Sequence, residues 1–189
     1  MLGDSRDWRR QLEGLSDEFT VVAWDAPGCG ESSDPDPPET FGADVYADCL
    51  AEFIEALELE RPHVLGLSWG GGLALELYRR RPDLPRSLVL ASAYAGWAVP
   101  GRPTRWPDVR SRRCEKLTCR RSNSCRAGCR PCLRKRYHRS SPLHVAEAMH
   151  SQIAGSTLAV IPGVGHMSSV EAPDRFNAEV RTFLRAHQR

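Results

Sequence analysis

Gly66-Leu67-Ser68-Trp69-Gly70 constrains the fold more than any other stretch, because a short apolar run, His63-Val64-Leu65, leads into it and a helical pattern follows at once. Leu73, Ala74, Leu77 and Tyr78 recur at helical spacing, and Arg79-Arg80-Arg81 before Pro82 supply cations and a stop at the helix C-terminus. A serine at a strand-to-helix turn takes a strained backbone so that its hydroxyl stands clear of the sheet, and glycines two before and two after it avoid side-chain clashes. Gly66 and Gly70 are read in those two roles. The pattern is that of a nucleophile elbow. The bland alternative is a glycine-rich loop without chemistry in a chain that has 15 glycines.

The elements around this turn alternate. Residues 8–15 read as a short amphipathic helix, and Thr20-Val21-Val22-Ala23-Trp24 reads as a buried strand by its β-branched content. That strand ends in Asp25-Ala26-Pro27-Gly28-Cys29-Gly30-Glu31-Ser32, punctuation typical of a loop. Residues 43–57 form a second amphipathic helix, and Ser87-Leu88-Val89-Leu90-Ala91 a further buried strand. After residue 139 the order resumes with a helix over 145–153, a strand over 156–161 and a closing amphipathic helix over 172–186. Strands that alternate with helices predict an α/β fold with a mostly parallel sheet, since each return to the same sheet edge needs a crossover.

Charge divides the chain. From Arg102 to Arg139 there are 14 Lys or Arg against two acids, Asp108 and Glu115, so the formal charge of +2 combines a segment of +12 with a remainder of −10. The expected division is therefore residues 1–97 and 140–189 as the two parts of one core, with 98–139 an irregular basic Cys-rich segment. At 189 residues and 41% hydrophobic content one ordinary core is expected. No run of 18 apolar residues occurs, and the first residues lack the basic-then-apolar order of a secretory signal; a cytoplasmic protein that makes no membrane contact is expected.

Cys114, Cys119, Cys125, Cys129 and Cys132 lie in the basic segment. Converging thiolates can bind zinc, and the arginines suit phosphates, which gives one reading of the segment as a zinc- or nucleic-acid-binding insert. A second C-x2-C to pair with Cys129-x-x-Cys132 is absent and only Trp106 and Tyr137 offer stacking rings, so nucleic-acid binding is disfavoured and no metal is assigned. The preferred reading is a coding stretch translated in a shifted frame, because Arg, Pro, Ser and Cys dominate. Only Val109, Leu117 and Leu133 are aliphatic between Arg102 and Arg139, too few for a core.

The last strand leads into Pro162-Gly163-Val164-Gly165-His166-Met167-Ser168-Ser169. A serine hydroxyl needs a base to accept its proton, and a neutral imidazole suits that transfer. Ser68 and His166 both follow strands, at the end of the sheet where α/β proteins gather functional loops.

Asp25-x-x-Gly28-x-Gly30-x-Ser32, Gly66-Leu67-Ser68-Trp69-Gly70-Gly71, Pro162-Gly163-x-Gly165-His166 and Glu171-x-Pro173 together resemble the α/β-hydrolase superfamily. The resemblance covers residues 4–97 and 140–189 and implies a partial α/β-hydrolase fold. It implies that Ser68 attacks an acyl carbonyl, that His166 acts as base and then acid, and that the Trp69 amide donates to the oxyanion. Asp25 aligns with a loop position that in the family is mainly structural. The implied activity is hydrolysis of an ester, lactone or similar small-molecule acyl substrate, without cofactor; the Ser-Trp-Gly pattern is shared with proline-releasing peptidases. Relatives that cleave carbon–halogen or epoxide bonds use a carboxylate nucleophile, which the serine at 68 argues against.

Two departures from the family accompany these agreements. Leu2-Gly3-Asp4-Ser5 falls just after the place where a His-Gly segment supplies a second oxyanion amide, and His138 stands near the place of the triad acid. The expectation is therefore an impaired hydrolase, with a non-catalytic binding protein as the alternative; oligomeric state is left open.

Overall fold

The strand that precedes Ser68 finds its partner across a helix. A computed structural model describes residues 4–34, 42–93 and 143–188. β1 (His63–Leu67) runs parallel to β2 (Ser87–Ala91), in register from His63 opposite Ser87 to Leu67 opposite Ala91. Between them lies α3 (Trp69–Arg80), which makes the unit a β-α-β crossover. At the start of the ladder the His63 ring Nδ1 and Ser87 Oγ are hydrogen-bonded at 2.7 Å.

Helices pack on both faces of this unit. A 3₁₀ turn over Ser5–Trp8 runs into α1 (Arg9–Leu15), and α2 spans Ala43–Ala56. The C-terminal part supplies α4 (Leu143–Gln152), the single turn α5 (Ser168–Glu171) and α6 (Pro173–Ala186), which opens with proline at its first position, where a missing N–H costs nothing. On one face of the strands α2 and α3 bury Tyr46, Ala47, Ala51, Ile54, Leu73 and Leu77, with Val64 of β1 packed against them. On the other face α1 and α6 bury Leu15, Phe176, Val180 and Leu184, with Leu65 of β1 and Val89 of β2 against them. Val64 and Leu65 thus point to opposite layers, as the two-residue period of a strand requires. Leu77 is completely enclosed, and burial of such a side chain contributes about 1.5–3 kcal/mol.

The alternating order and parallel pairing agree with the α/β expectation, but two expected strands do not form as such. Residues 20–24 and 156–161 take no strand ladder among the described residues, although Val21 and Ile161 pack into the second core. β-branched content brings these segments to the core; a strand also needs a neighbour's amides and carbonyls. For the same reason the residues of β1 and β2 are half-buried, apart from the buried Gly66, rather than enclosed on both faces as expected. Helix positions agree to within a few residues, while α5 occupies a stretch partly read as loop. The basic Cys-rich segment, its zinc reading and position 138 lie outside the described residues. Among the described residues no helix is long and apolar enough to cross a membrane.

Candidate active site

Ser68 sits between β1 and α3 with φ 56° and ψ −113°, in a region of backbone space that side-chain-bearing residues rarely enter. Its amide donates to Ala91 O at 2.8 Å, which carries the β1–β2 contact one residue beyond the ladder. Its carbonyl accepts from the amides of Gly71 at 3.1 Å and Gly72 at 3.3 Å, the first bonds of the helix. The residue is thereby held from both sides in its strained conformation.

Close packing explains Gly66: a Cβ there would stand 2.2 Å from Gly70 O and 2.5 Å from Gly71 N. Gly70 is different. A Cβ at Gly70 would meet nothing within 4 Å, so the steric role expected of it is not found. The close approach falls one residue later, at Gly71, whose Cβ would stand 2.4 Å from the Ala93 Cβ where α3 crosses the end of β2. Glycine symmetry about the serine is thus a poorer guide than the crossing of helix and strand.

Trp69 is the first residue of α3, so its amide belongs to the turn of N–H groups that a helix leaves without internal acceptors. Its ring turns into the first core, edge-on to Tyr46 with ring centroids 5.3 Å apart. Tyr46 in turn donates from its hydroxyl to Pro27 O at 3.3 Å, which joins α2 to the loop after residue 24. In that loop the Asp25 carboxylate accepts from the amides of Ser5 at 2.6 Å and Glu31 at 3.1 Å, while Ser32 Oγ donates to Asp25 O at 2.7 Å. Burial works against the charged form of Asp25, but these amides outweigh it and hold the carboxyl below its ordinary pKa. Gly30 has φ 54°, and its Cβ would lie 2.3 Å from the same carboxylate. Asp25 therefore ties a loop together.

His166 lies in the loop before α5, half-buried. Burial pushes its imidazole below the ordinary histidine pKa, and the negative charge of Glu171 pulls in the opposite direction. The Glu171 carboxylate accepts from Gly165 N at 2.9 Å and Met167 N at 3.2 Å, the amides on either side of His166. Behind α5, Gln11 of α1 donates from Nε2 to Ser169 O at 3.0 Å and to Asn177 Oδ1 at 3.1 Å, and Asn177 Nδ2 donates to Arg10 O at 3.0 Å. Gln11 and Ser169 are nearly inaccessible, so this polar bridge belongs to the interior.

A family model described as alpha/beta hydrolase fold matches residues 1–113, more than half of the chain. The chain belongs to the α/β hydrolase fold family. The matched stretch contains Asp25, Ser68 and Trp69, and ends before His166. A poly(3-hydroxyalkanoate) depolymerase of Ectopseudomonas oleovorans is 38% identical over 93 residues, 49% of this chain and 32% of that protein. A 2-hydroxymuconate semialdehyde hydrolase of a Pseudomonas species (strain CF600) is 36% identical over 94 residues, 50% of this chain and 32% of that protein. This α/β hydrolase chain thus spans about a third of the length of the curated relatives it matches. A thermophilic esterase of Thermogutta terrifontis superposes with a TM-score of 0.75 over 97% of this chain and 86% of its own, at 24% identity, a likeness of fold.

Sequence reasoning passed over two features of this α/β hydrolase. The motif Glu171-x-Pro173 assigns the glutamate no task, yet its carboxylate accepts from the Gly165 and Met167 amides on either side of His166. Gln11 is a polar residue between Trp8 and Leu15 on the apolar face of α1, and that misplacement was the available signal for the buried bridge.

Proposed function

We propose that the chain is a serine hydrolase acting on an ester, lactone or similar small-molecule acyl substrate. Ser68 Oγ attacks the acyl carbon, the His166 imidazole takes the hydroxyl proton and returns it to the leaving group, and the Trp69 amide donates to the oxyanion. One observation carries this reading: Ser68, at a strand-to-helix junction, is kept at φ 56° by hydrogen bonds on both sides, a strain that serves to expose a hydroxyl. The names of the curated relatives, one a poly(3-hydroxyalkanoate) depolymerase and one a 2-hydroxymuconate semialdehyde hydrolase, support hydrolytic chemistry. With His138 near the place where the family resemblance puts the acid, turnover is proposed to lie orders of magnitude below that of a complete triad.

Pre-steady-state hydrolysis of p-nitrophenyl acetate tests this. The intact protein is expected to release p-nitrophenol in a burst, to carry the acetyl group on Ser68, and to lose both in Ser68→Ala. Because burial lowers the His166 pKa, the neutral base persists below the ordinary histidine range, and acylation is expected to fall only as pH drops further. Equal signals from the two proteins would overturn the enzyme reading in favour of a non-catalytic binding protein.

A further inference from the structure

The His166 loop is built around a carboxylate that the proposed reaction does not itself use. Gly165 and Met167 flank the histidine, and their amides donate to different oxygens of Glu171, Oε2 at 2.9 Å and Oε1 at 3.2 Å. One rigid planar group therefore ties the Val164–Gly165 peptide to the His166–Met167 peptide and braces the short stretch of loop that carries His166. Gly165 admits that group: a Cβ there would stand 2.8 Å from Oε1 and 3.0 Å from Oε2. The backbone repeats the link, since Glu171 N donates to Met167 O at 2.8 Å. The turn is itself fixed from behind by the Gln11 bond to Ser169 O.

We propose that Glu171 is the positioning residue of His166: its carboxylate sets the loop that aims the imidazole and lends negative charge to the imidazolium formed when Ser68 surrenders its proton. This rests on the reading of Ser68 and His166 as nucleophile and base. The paired amide bonds carry the proposal, and the Glu171 charge so placed favours the protonated ring against the burial that lowers its pKa. The neighbouring elements supply other groups: Arg175 of α6 donates to Pro162 O at 3.1 Å, and Gln11 of α1 is neutral.

Glu171→Gln keeps the shape of the side chain, removes its charge and leaves one acceptor oxygen for two amides. Its effect is read in the full chain by NMR titration of the His166 Cε1 proton, which needs no turnover, and by the acetylation rate of Ser68. The expected result is a His166 titration displaced to lower pH, with acylation about 10-fold slower and KM unchanged. A titration identical with that of the wild type overturns the proposal, whatever the rate does, because a purely structural strut would not move it. If wild-type Ser68 is never acetylated, the serine-hydrolase reading fails and the titration alone decides the role of Glu171. Should Glu171→Gln not fold, Glu171→Asp, which retains the charge but withdraws it by one methylene, is compared in the same way; an unchanged titration and rate there also overturn the proposal.

Discussion

The turn that carries Ser68 and the loop that carries His166 are fixed by different forces. At Ser68 the restraint is steric and main-chain: a 2.2 Å approach that only glycine permits at 66, an amide bond to Ala91 O and the opening bonds of α3. At His166 the restraint comes from side chains, with Glu171 spanning the flanking amides and Gln11 and Asn177 bracing α5 from α1 and α6. A main-chain restraint inside a β-α-β unit cannot loosen without disturbing the core. Side-chain bonds can be removed one at a time, so the histidine can lose its aim while the fold persists.

The sharpest way to break this comparison lies in the glycines. Gly66→Ala drives a methyl group into the backbone of Gly70 and Gly71, which cannot swing aside as a side-chain tip would. A loss of about 3 kcal/mol or more is expected in urea unfolding, at or beyond the upper end for overpacking. Gly70→Ala points into open space, and alanine favours a helix over glycine by about 1 kcal/mol, so its stability should match or slightly exceed that of the parent. Equal damage from both substitutions would show that close approach is not what fixes the elbow.

A smaller effect is expected at the histidine loop. Asn177→Ala removes an acceptor from buried Gln11 Nε2 and the donor to Arg10 O, leaving polar groups unsatisfied inside the protein at about 1–3 kcal/mol. Amide NMR shifts should change around α5 and His166 and leave β1, Ser68 and the first turn of α3 in place. Changes of equal size at both places would mean that the two regions are coupled rather than separately held.

This division also sets how much was legible beforehand. β1, α3 and β2 follow from periodicity because the residues that determine them are contiguous, from His63 through Ala91. Residues 20–24 and 156–161 carry strand-like composition, but a ladder depends on what lies beside them, which composition does not encode. Ser68 could be read because its strain demands a recognisable local pattern. Gly71 could not, since its neighbour Ala93 is distant in sequence. Glu171 resisted reading for a similar reason: an exposed glutamate at a short helix end ordinarily serves solvation, and only the fold of the loop brings both flanking amides to it.

The smallest expected effect sharpens the comparison at the surface, where the turn after α1 meets the exposed side of α6 through charged groups. Glu18 accepts from Arg185 Nε and Nη2 at 2.7 Å each and is paired with Arg181, which also donates to Gly14 O and Asp17 Oδ1 at 2.7 Å. The Arg185 guanidinium, joined by Arg181 and opposed by burial, pushes the Glu18 pKa down to about 2. A carboxyl whose folded pKa is depressed contributes stability above its unfolded pKa, near 4.5, and loses it as pH falls through the folded value. Glu18→Gln should therefore lower Tm slightly and by a constant amount above about pH 5, with the difference from the parent shrinking as pH falls from 4.5 toward 2. Roughly 1 M salt should shrink it too, because exposed ion pairs are screened. The urea cost of Asn177→Ala should resist the same salt, since its bonds are uncharged and the one to Gln11 is buried. A salt-insensitive Glu18→Gln would place the junction of α1 and α6 among the buried restraints that hold the histidine loop.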